Sequence, residues 1–234
     1  KIIFIFMTIP KKSPYMKKLK ILSIIPVRAG SKGIPNKNLK ILNGKPLLYY
    51  TIKNSIHSSY INRTIVSTEN DSLAKYAKKF GAEVIKRPNN LALDKSLTEP
   101  VMFHVLKYLK QNDNYIPDVV ILLQNTSPFR IKKHIDDAFA LFFKNNYDSV
   151  LSGFLSSEFI WINKNKQSIP INYELNKRPQ RQNIKHAYVE NGAIYITKYK
   201  KIMHSKCRIS GKIGMFLMPQ NNSIEIDEQN DLRL

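Results

Sequence analysis

The run Arg28-Ala-Gly-Ser-Lys-Gly-Ile-Pro-Asn-Lys-Asn38 gathers two glycines, one serine, two asparagines and three cations into a single short segment. It follows the apolar stretch Ile21-Leu-Ser-Ile-Ile-Pro-Val27, which predicts a buried first strand. A loop of this kind at the carboxyl end of a strand has the chemistry to hold a nucleoside triphosphate. Gly30 and Gly33 let backbone N–H groups approach phosphate oxygens, and Arg28, Lys32 and Lys37 offset their charge. The spacing matches neither the Walker A pattern nor the dinucleotide fingerprint.

A second set lies near the other end of the chain. Ser223-Ile-Glu-Ile-Asp227 reads as a strand, on which Glu225 and Asp227 share a face. Two carboxylates aimed together repel unless a cation lies between them, and Mg²⁺ (or Mn²⁺) bridging carboxylate to phosphate answers that need. A solvent-facing edge strand would carry the same residues. Leu123-Gln-Asn-Thr-Ser-Pro-Phe-Arg130 sets polar groups directly after an apolar strand, where Gln124 can donate and accept at once. Arg178 and Arg181 accompany Tyr188-Val-Glu-Asn-Gly-Ala193 and could clamp a carboxylate, or coat the surface.

These loops need a scaffold, and the pattern between them supplies one. Pro46 opens a helix after a turn at Asn43-Gly44-Lys45. Thr64–Ser67 and Glu83–Ile85 read as strands around a helix with Leu73, Ala74, Ala77 and Phe80 inward, stopped by Gly81. Arg87-Pro88 starts a long loop to Thr98, a cap for a helix carrying Val101, Met102, Val105, Leu106 and Leu109. Asp118–Leu123 is apolar enough for a central parallel strand, and the next helix turns Ile135, Ala138, Phe139, Phe142 and Phe143 inward. Asp148–Leu151, Ala193–Ile196 and Gly214–Met218 are further strands. Strands alternating with helices predict an α/β fold: a doubly wound, mostly parallel sheet with its site at the strands' carboxyl ends. Residues 153–187 break the rhythm and read as a small β-rich arm, within one domain spanning 16–234. Residues 1–15 read as a disordered or non-native lead, and the carboxyl terminus, where Asp231 would begin a last helix, as truncated.

A net charge of +21 invites a nucleic-acid reading, but the cations are scattered through a Lys-, Asn- and Ile-rich sequence with no arginine-rich run. The single cysteine, Cys207, excludes an internal disulfide and a cysteine zinc site, which fits a cytoplasmic protein. The apolar run at Lys1–Met7 is too short to span a bilayer, so neither membrane nor nucleic acid is an expected partner. The histidines 57, 104, 134, 186 and 204 form no Ser-His-Asp set.

Taken in order, Arg28…Ser31-Lys32-Gly33…Lys37-Asn38…Gly44-Lys45-Pro46-Leu47, Arg87-Pro88, Leu91-Ala92…Asp94, Gln124…Thr126-Ser127-Pro128…Arg130, Arg181-Gln182, Asn191-Gly-Ala-Ile-Tyr195 and Ile226-Asp227 resemble the acylneuraminate cytidylyltransferases. The resemblance covers roughly residues 20–233. It implies activation of a nonulosonic acid, a nine-carbon acidic sugar, with CTP to give a CMP-sugar and pyrophosphate, on a Rossmann-like nucleotidyltransferase fold. By the same resemblance Arg28, Ser31, Lys32, Lys37 and Asn38 would hold the triphosphate, and Arg87, Asp94 and Thr98 would lie by the cytosine and ribose. Gln124, Arg181, Gln182 and Asn191 would face the sugar acid. Asp227 with Glu225 would take the metal, and Arg28, Lys37 and Asp227 would carry the catalysis. The arm would join two copies into a homodimer. This sequence departs from the family pattern at Glu225, where Asp is usual, at Asn125, where Pro is usual, and at Val189, where some sialic acid enzymes have Arg. A transferase for an eight-carbon keto-acid or a hexose phosphate, and a non-catalytic basic nucleic-acid binder, are the competing expectations.

Overall fold

The computed structural model describes residues 19–31 and 33–233, with the side chains at 232 and 233 left aside. The lead at 1–15 and Lys32 of the phosphate loop lie outside the described residues. Ile21–Pro26 forms the first strand, β1, and its alternation sends neighbouring side chains to opposite faces. Leu22 and Ile24 pack on one side of the sheet, while Ile21 and Ile25 pack on the other. Both sides are therefore covered, which is why the strand carries no exposed polar face.

Around β1 the chain builds β4 (Arg63–Thr68), β5 (Glu83–Lys86), β6 (Val119–Leu122), β7 (Ser149–Ser156), β10 (Ala187–Lys198) and β11 (Ile213–Leu217). Their order across the seven-stranded sheet is β11-β7-β10-β6-β1-β4-β5. β10 runs antiparallel to both of its neighbours, and every other pairing is parallel. The expected doubly wound, mostly parallel sheet is thus present.

Helices α1 (Leu47–His57), α2 (Asp71–Lys79) and α4 (Lys132–Lys144) cover one face. The other is covered by α3 (Thr98–Asn112) and α5 (Tyr199–Ser205). α3 turns Val101, Met102, Val105, Leu106 and Leu109 inward, the stripe its spacing predicts. Each such side chain contributes about 1.5–3 kcal/mol when fully buried. Asn43 and Gly44, with φ of 50° and 77°, make the predicted turn as a hairpin joining β2 (Ile41–Leu42) to β3 (Lys45–Pro46).

Three expectations change. Thr98 is the first residue of α3 and makes no cap, since the flanking position is Leu97. β10 begins at Ala187 and is followed by α5, a short helix the sequence reading passed over. The stretch expected as a β-rich arm carries an exposed hairpin, β8 (Trp161–Lys164) and β9 (Gln167–Pro170), outside the main sheet. Ser223–Asp227 is not a strand: Ile226 N–H donates to Thr126 O at 2.8 Å, and the segment runs extended outside the sheet.

Candidate active site

The loop after β1, the loop after β6 and the tail beyond β11 converge at the carboxyl ends of the parallel strands. They enclose a cavity of about 440 Å³. Arg28, Ser31, Gly33, Lys37 and Asn38 line it from the first loop, Gln124, Asn125 and Thr126 from the second, and Glu225 and Asp227 from the tail. Arg87, Leu91, Leu97, Thr98 and Val101 close an end that is more apolar.

The glycine loop is held from below. Glu69 accepts from Ala29 N–H at 2.7 Å and from Arg87 Nη2 at 2.9 Å, while Arg87 also donates to Val27 O at 2.7 Å. Burial pushes the Glu69 carboxyl up, but its bonds to Arg87 and Ala29 outweigh that and keep its pKa low. Asn38 Nδ2 donates to Arg28 O at 2.7 Å, and Asn125 Nδ2 donates to Asn38 Oδ1 at 2.7 Å. Asn125, one of the departures from the family pattern, therefore ties the two loops together.

The loop and the tail meet directly. Lys37 Nζ lies 2.8 Å from Asp227 Oδ1. A Cβ on Gly33 would fall 2.2 Å from Asp227 O, so only glycine permits this approach, whereas Gly30 has open space. Ile226, fully buried with Ile34 and Leu47, anchors the tail between the two acidic residues. A strand's alternation survives there without a strand's ladder.

Gly192, with φ of 63°, lets Glu225 and Gln124 approach the same Cα: a side chain there would meet their Oε1 atoms at 2.0 and 2.5 Å. Burial raises the Glu225 pKa, and the neighbouring Asp227 charge raises it further. This pair of hard carboxylates, Glu225 half-buried and Asp227 exposed, fits a divalent cation, whose charge would relieve the repulsion. Among the described residues no group of three or more His, Cys, Asp or Glu gathers to hold a metal, so oxygens from a bound phosphate would have to complete the coordination.

Asp94, Asn191, Arg181 and Gln182 do not line the cavity. Asp94 Oδ1 pairs with Nη1 of the lining residue Arg28 at 2.7 Å. Asn191 is buried and faces away from the cavity: it accepts from Ser152 Oγ at 2.6 Å and donates to Ser223 Oγ at 2.8 Å. Its place is to hold Gly192, and no group on it is left for a ligand. Arg181 and Gln182 lie exposed on the arm, the first paired with Glu158 at 2.5 Å and the second donating to Gln180 Oε1. Neither lines the cavity of this chain. Arg178 stacks 4.2 Å from the centre of the Phe159 ring instead of facing a ligand.

The positioning roles of two residues escaped the sequence reading, although Arg130 stood in its motifs. Glu69 is one. Arg130 is the other: fully buried, it donates to Gln124 O at 3.0 Å, Ala193 O at 2.7 Å and Thr51 Oγ1 at 2.9 Å. It fixes both Gln124 and the turn at Gly192. A charged residue after Ser-Pro-Phe reads as surface, and only the loop's burial shows its task.

A cytidylyltransferase family model matches residues 22–231. An N-acylneuraminate cytidylyltransferase of Escherichia coli O18:K1:H7 (strain RS218 / NMEC) is 33% identical over 227 residues, covering 93% of this chain and 51% of that protein. An N-acylneuraminate cytidylyltransferase A of Danio rerio is 33% identical over 224 residues, 94% of this chain and 51% of its own length. The chain thus spans about half the length of these curated relatives. Among solved structures, a CMP:2-keto-3-deoxy-manno-octonic acid synthetase complexed with CTP superposes with a TM-score of 0.67 at 16% identity, covering 92% of this chain and 95% of that one. A 4-diphosphocytidyl-2C-methyl-D-erythritol synthase of Anaerococcus prevotii DSM 20548 gives 0.62 at 14%, covering 92% and 95%. At such identities the likeness speaks for the fold.

Proposed function

The chain belongs to the cytidylyltransferase family, and from that premise we propose that it couples CTP to a nonulosonic acid, forming a CMP-sugar and pyrophosphate. The observation that carries this reading is the meeting of Lys37 with Asp227 at 2.8 Å, which brings the cationic loop and the acidic tail to one cavity. The loop suits a triphosphate, and the apolar end beside Arg87, Leu97 and Val101 suits a base.

In the proposed reaction the sugar's anomeric oxygen attacks the α-phosphorus of CTP. A new O–P bond forms, the bond to the bridging oxygen breaks, and pyrophosphate leaves with the electron pair. Arg28, Ser31 and Lys37, with the backbone around Gly33, would bind the triphosphate and neutralise charge gathering on the leaving group. Lys32 belongs to this set by its place in the sequence. Gln124, fixed by Arg130, would orient the sugar. Glu225 and Asp227 would hold Mg²⁺ or Mn²⁺, which when bound supplies Lewis-acid neutralisation of phosphate oxygens. Asp94 and Thr98 would border the nucleoside.

We place Arg181 and Gln182 at the site of a second copy. A homodimer in which the arm at 153–187 reaches a neighbouring cavity would give these exposed residues their sugar-acid role. The free, exposed Cys207 fits a reducing, cytoplasmic setting. Among the described residues no helix is long and apolar enough to cross a membrane.

The test is pyrophosphate release from CTP with sialic, legionaminic and pseudaminic acids, with and without Mg²⁺. The expected result is metal-dependent turnover with at least one acid, and little with UTP, GTP or ATP. Turnover with a hexose phosphate or an eight-carbon keto-acid alone would replace this reading. Salt-sensitive duplex or RNA binding without any CTP turnover would end it.

A further inference from the structure

Arg28 lines the cavity on a stretch of main chain that is firmly held. Its carbonyl accepts from Asn38 Nδ2 at 2.7 Å, and the N–H of the next residue, Ala29, donates to Glu69 at 2.7 Å. The side chain has less support. It is 32% exposed, and among the described residues its guanidinium makes one hydrogen bond, from Nη1 to Asp94 Oδ1 at 2.7 Å. An arginine without partners samples many rotamers, and ordering it on a ligand costs entropy. Arg87 differs, being buried with its guanidinium bonded to both Val27 O and Glu69.

Asp94 belongs to the loop that follows β5. Leu93, Ser96 and Leu97 of that loop line the cavity, and Asp94 does not. The loop is built of turns: Leu91 N–H donates to Pro88 O at 3.0 Å, Ala92 N–H to Asn89 O at 2.9 Å and Ser96 N–H to Leu93 O at 2.9 Å. Asp94 sits within the last of these and reaches Arg28, 66 residues away in sequence. Leu93 and Leu97 are 61% and 70% exposed, so packing does little to hold this segment. The ion pair thus bridges the loop beside the apolar end of the cavity and the loop that suits the phosphates.

With Nη1 held by Asp94, the guanidinium keeps its Nη2 and Nε donors for a second anion. The carboxylate also repels a phosphate, but it is 40% exposed, so water and salt screen that repulsion, while its bond to Nη1 acts at contact. We propose that Asp94 is a positioning residue: it touches no part of the nucleotide and acts through Arg28, keeping the guanidinium in place for the triphosphate. This rests on the functional reading above and replaces the nucleoside contact expected of Asp94 with an indirect role.

The experiment titrates CTP and cytidine, without acceptor, into wild type, Asp94→Asn, Arg28→Gln and the double variant, and reads the Kd by calorimetry. Asp94→Asn keeps the shape of a part-exposed side chain, so the fold should persist. It should raise the Kd for CTP at least about fivefold, through lost pre-organisation, and leave that for cytidine within about twofold. In the Arg28→Gln background the same substitution should change the Kd for CTP by less than about twofold, because residues acting as one unit are not additive. Weaker binding of cytidine, a loss on CTP that persists without Arg28, or tighter binding of CTP would each overturn the assignment. Should Asp94→Asn fail to fold, Asp94→Glu decides: a change in CTP binding that needs Arg28 and spares cytidine upholds the proposal, and an equal change for both ligands overturns it. A wild type that binds no CTP overturns the functional reading itself, whereas a wild type that binds CTP with an indifferent Asp94→Asn variant overturns this inference alone.

Discussion

Lys37 sits at the junction of the two charged segments, and its removal has a defined cost. Without it Asp227 loses its partner at 2.8 Å, and the proposed leaving group loses a cation. A charge-assisted bond contributes about 1.5–3 kcal/mol, so Lys37→Ala should lower kcat at least about tenfold, with an unchanged circular dichroism spectrum. Wild-type turnover in that variant would remove Lys37 from the mechanism. Glu225 makes a second prediction. Its folded-state pKa is raised by burial and by Asp227, so between the unfolded and folded values the native state binds more protons. Glu225 therefore favours folding at low pH, and that contribution is lost as pH rises through the folded pKa. Melting curves across pH 4–7 should show a steeper fall for wild type than for Glu225→Gln; parallel profiles would refute the shift. At this scale the sequence revealed the charged groups that face the cavity, because cations beside glycine and paired acids are legible as types. It concealed Glu69, Arg130 and the inward turn of Asn191, because a polar residue's burial depends on chain segments far away in sequence.

The loop after β1 is shaped by what it packs against, and its two glycines separate that effect from simple flexibility. A methyl at Gly33 would strike Asp227 O, a backbone atom with little freedom to move, while one at Gly30 meets nothing within 4 Å. Gly33→Ala should cost about 1–3 kcal/mol, the range for overpacking, and weaken CTP binding; Gly30→Ala should leave the melting temperature within a degree or two. Equal behaviour of the two variants would mean that the loop and tail do not touch. The helices α3 and α4 were legible because their apolar spacing is long and regular. Ser223–Asp227 misled for a physical reason: alternation records which side chains are buried, not where the backbone bonds go. Ile226 is buried and its neighbours exposed to the cavity, yet its N–H bonds to a loop carbonyl. α5 spans seven residues, too few to establish a period. The hairpin turn at Asn165 and Lys166 takes positive φ at both positions without the glycine that usually marks it.

Across the whole molecule, the charge of +21 acts on encounter more than on fold. A cationic surface around a cleft raises the arrival rate of a polyanion and is screened by salt. The value of kcat/KM for CTP should therefore fall as ionic strength rises from about 0.01 to 0.15 M, where the screening length drops from about 30 to 8 Å, while kcat stays nearly constant. A salt-independent kcat/KM would confine the charge to solubility. The contact between residues 33 and 227 also has a bearing on biogenesis. All seven strands of the sheet end by Leu217, yet the carboxylates reach the cationic loop only when the tail docks. A nascent polypeptide still lacking residue 223 onward on the ribosome could assemble its strands and helices but would hold an open, anion-attracting groove. Completion of the groove is thereby deferred until residues 223–227 have been made and docked.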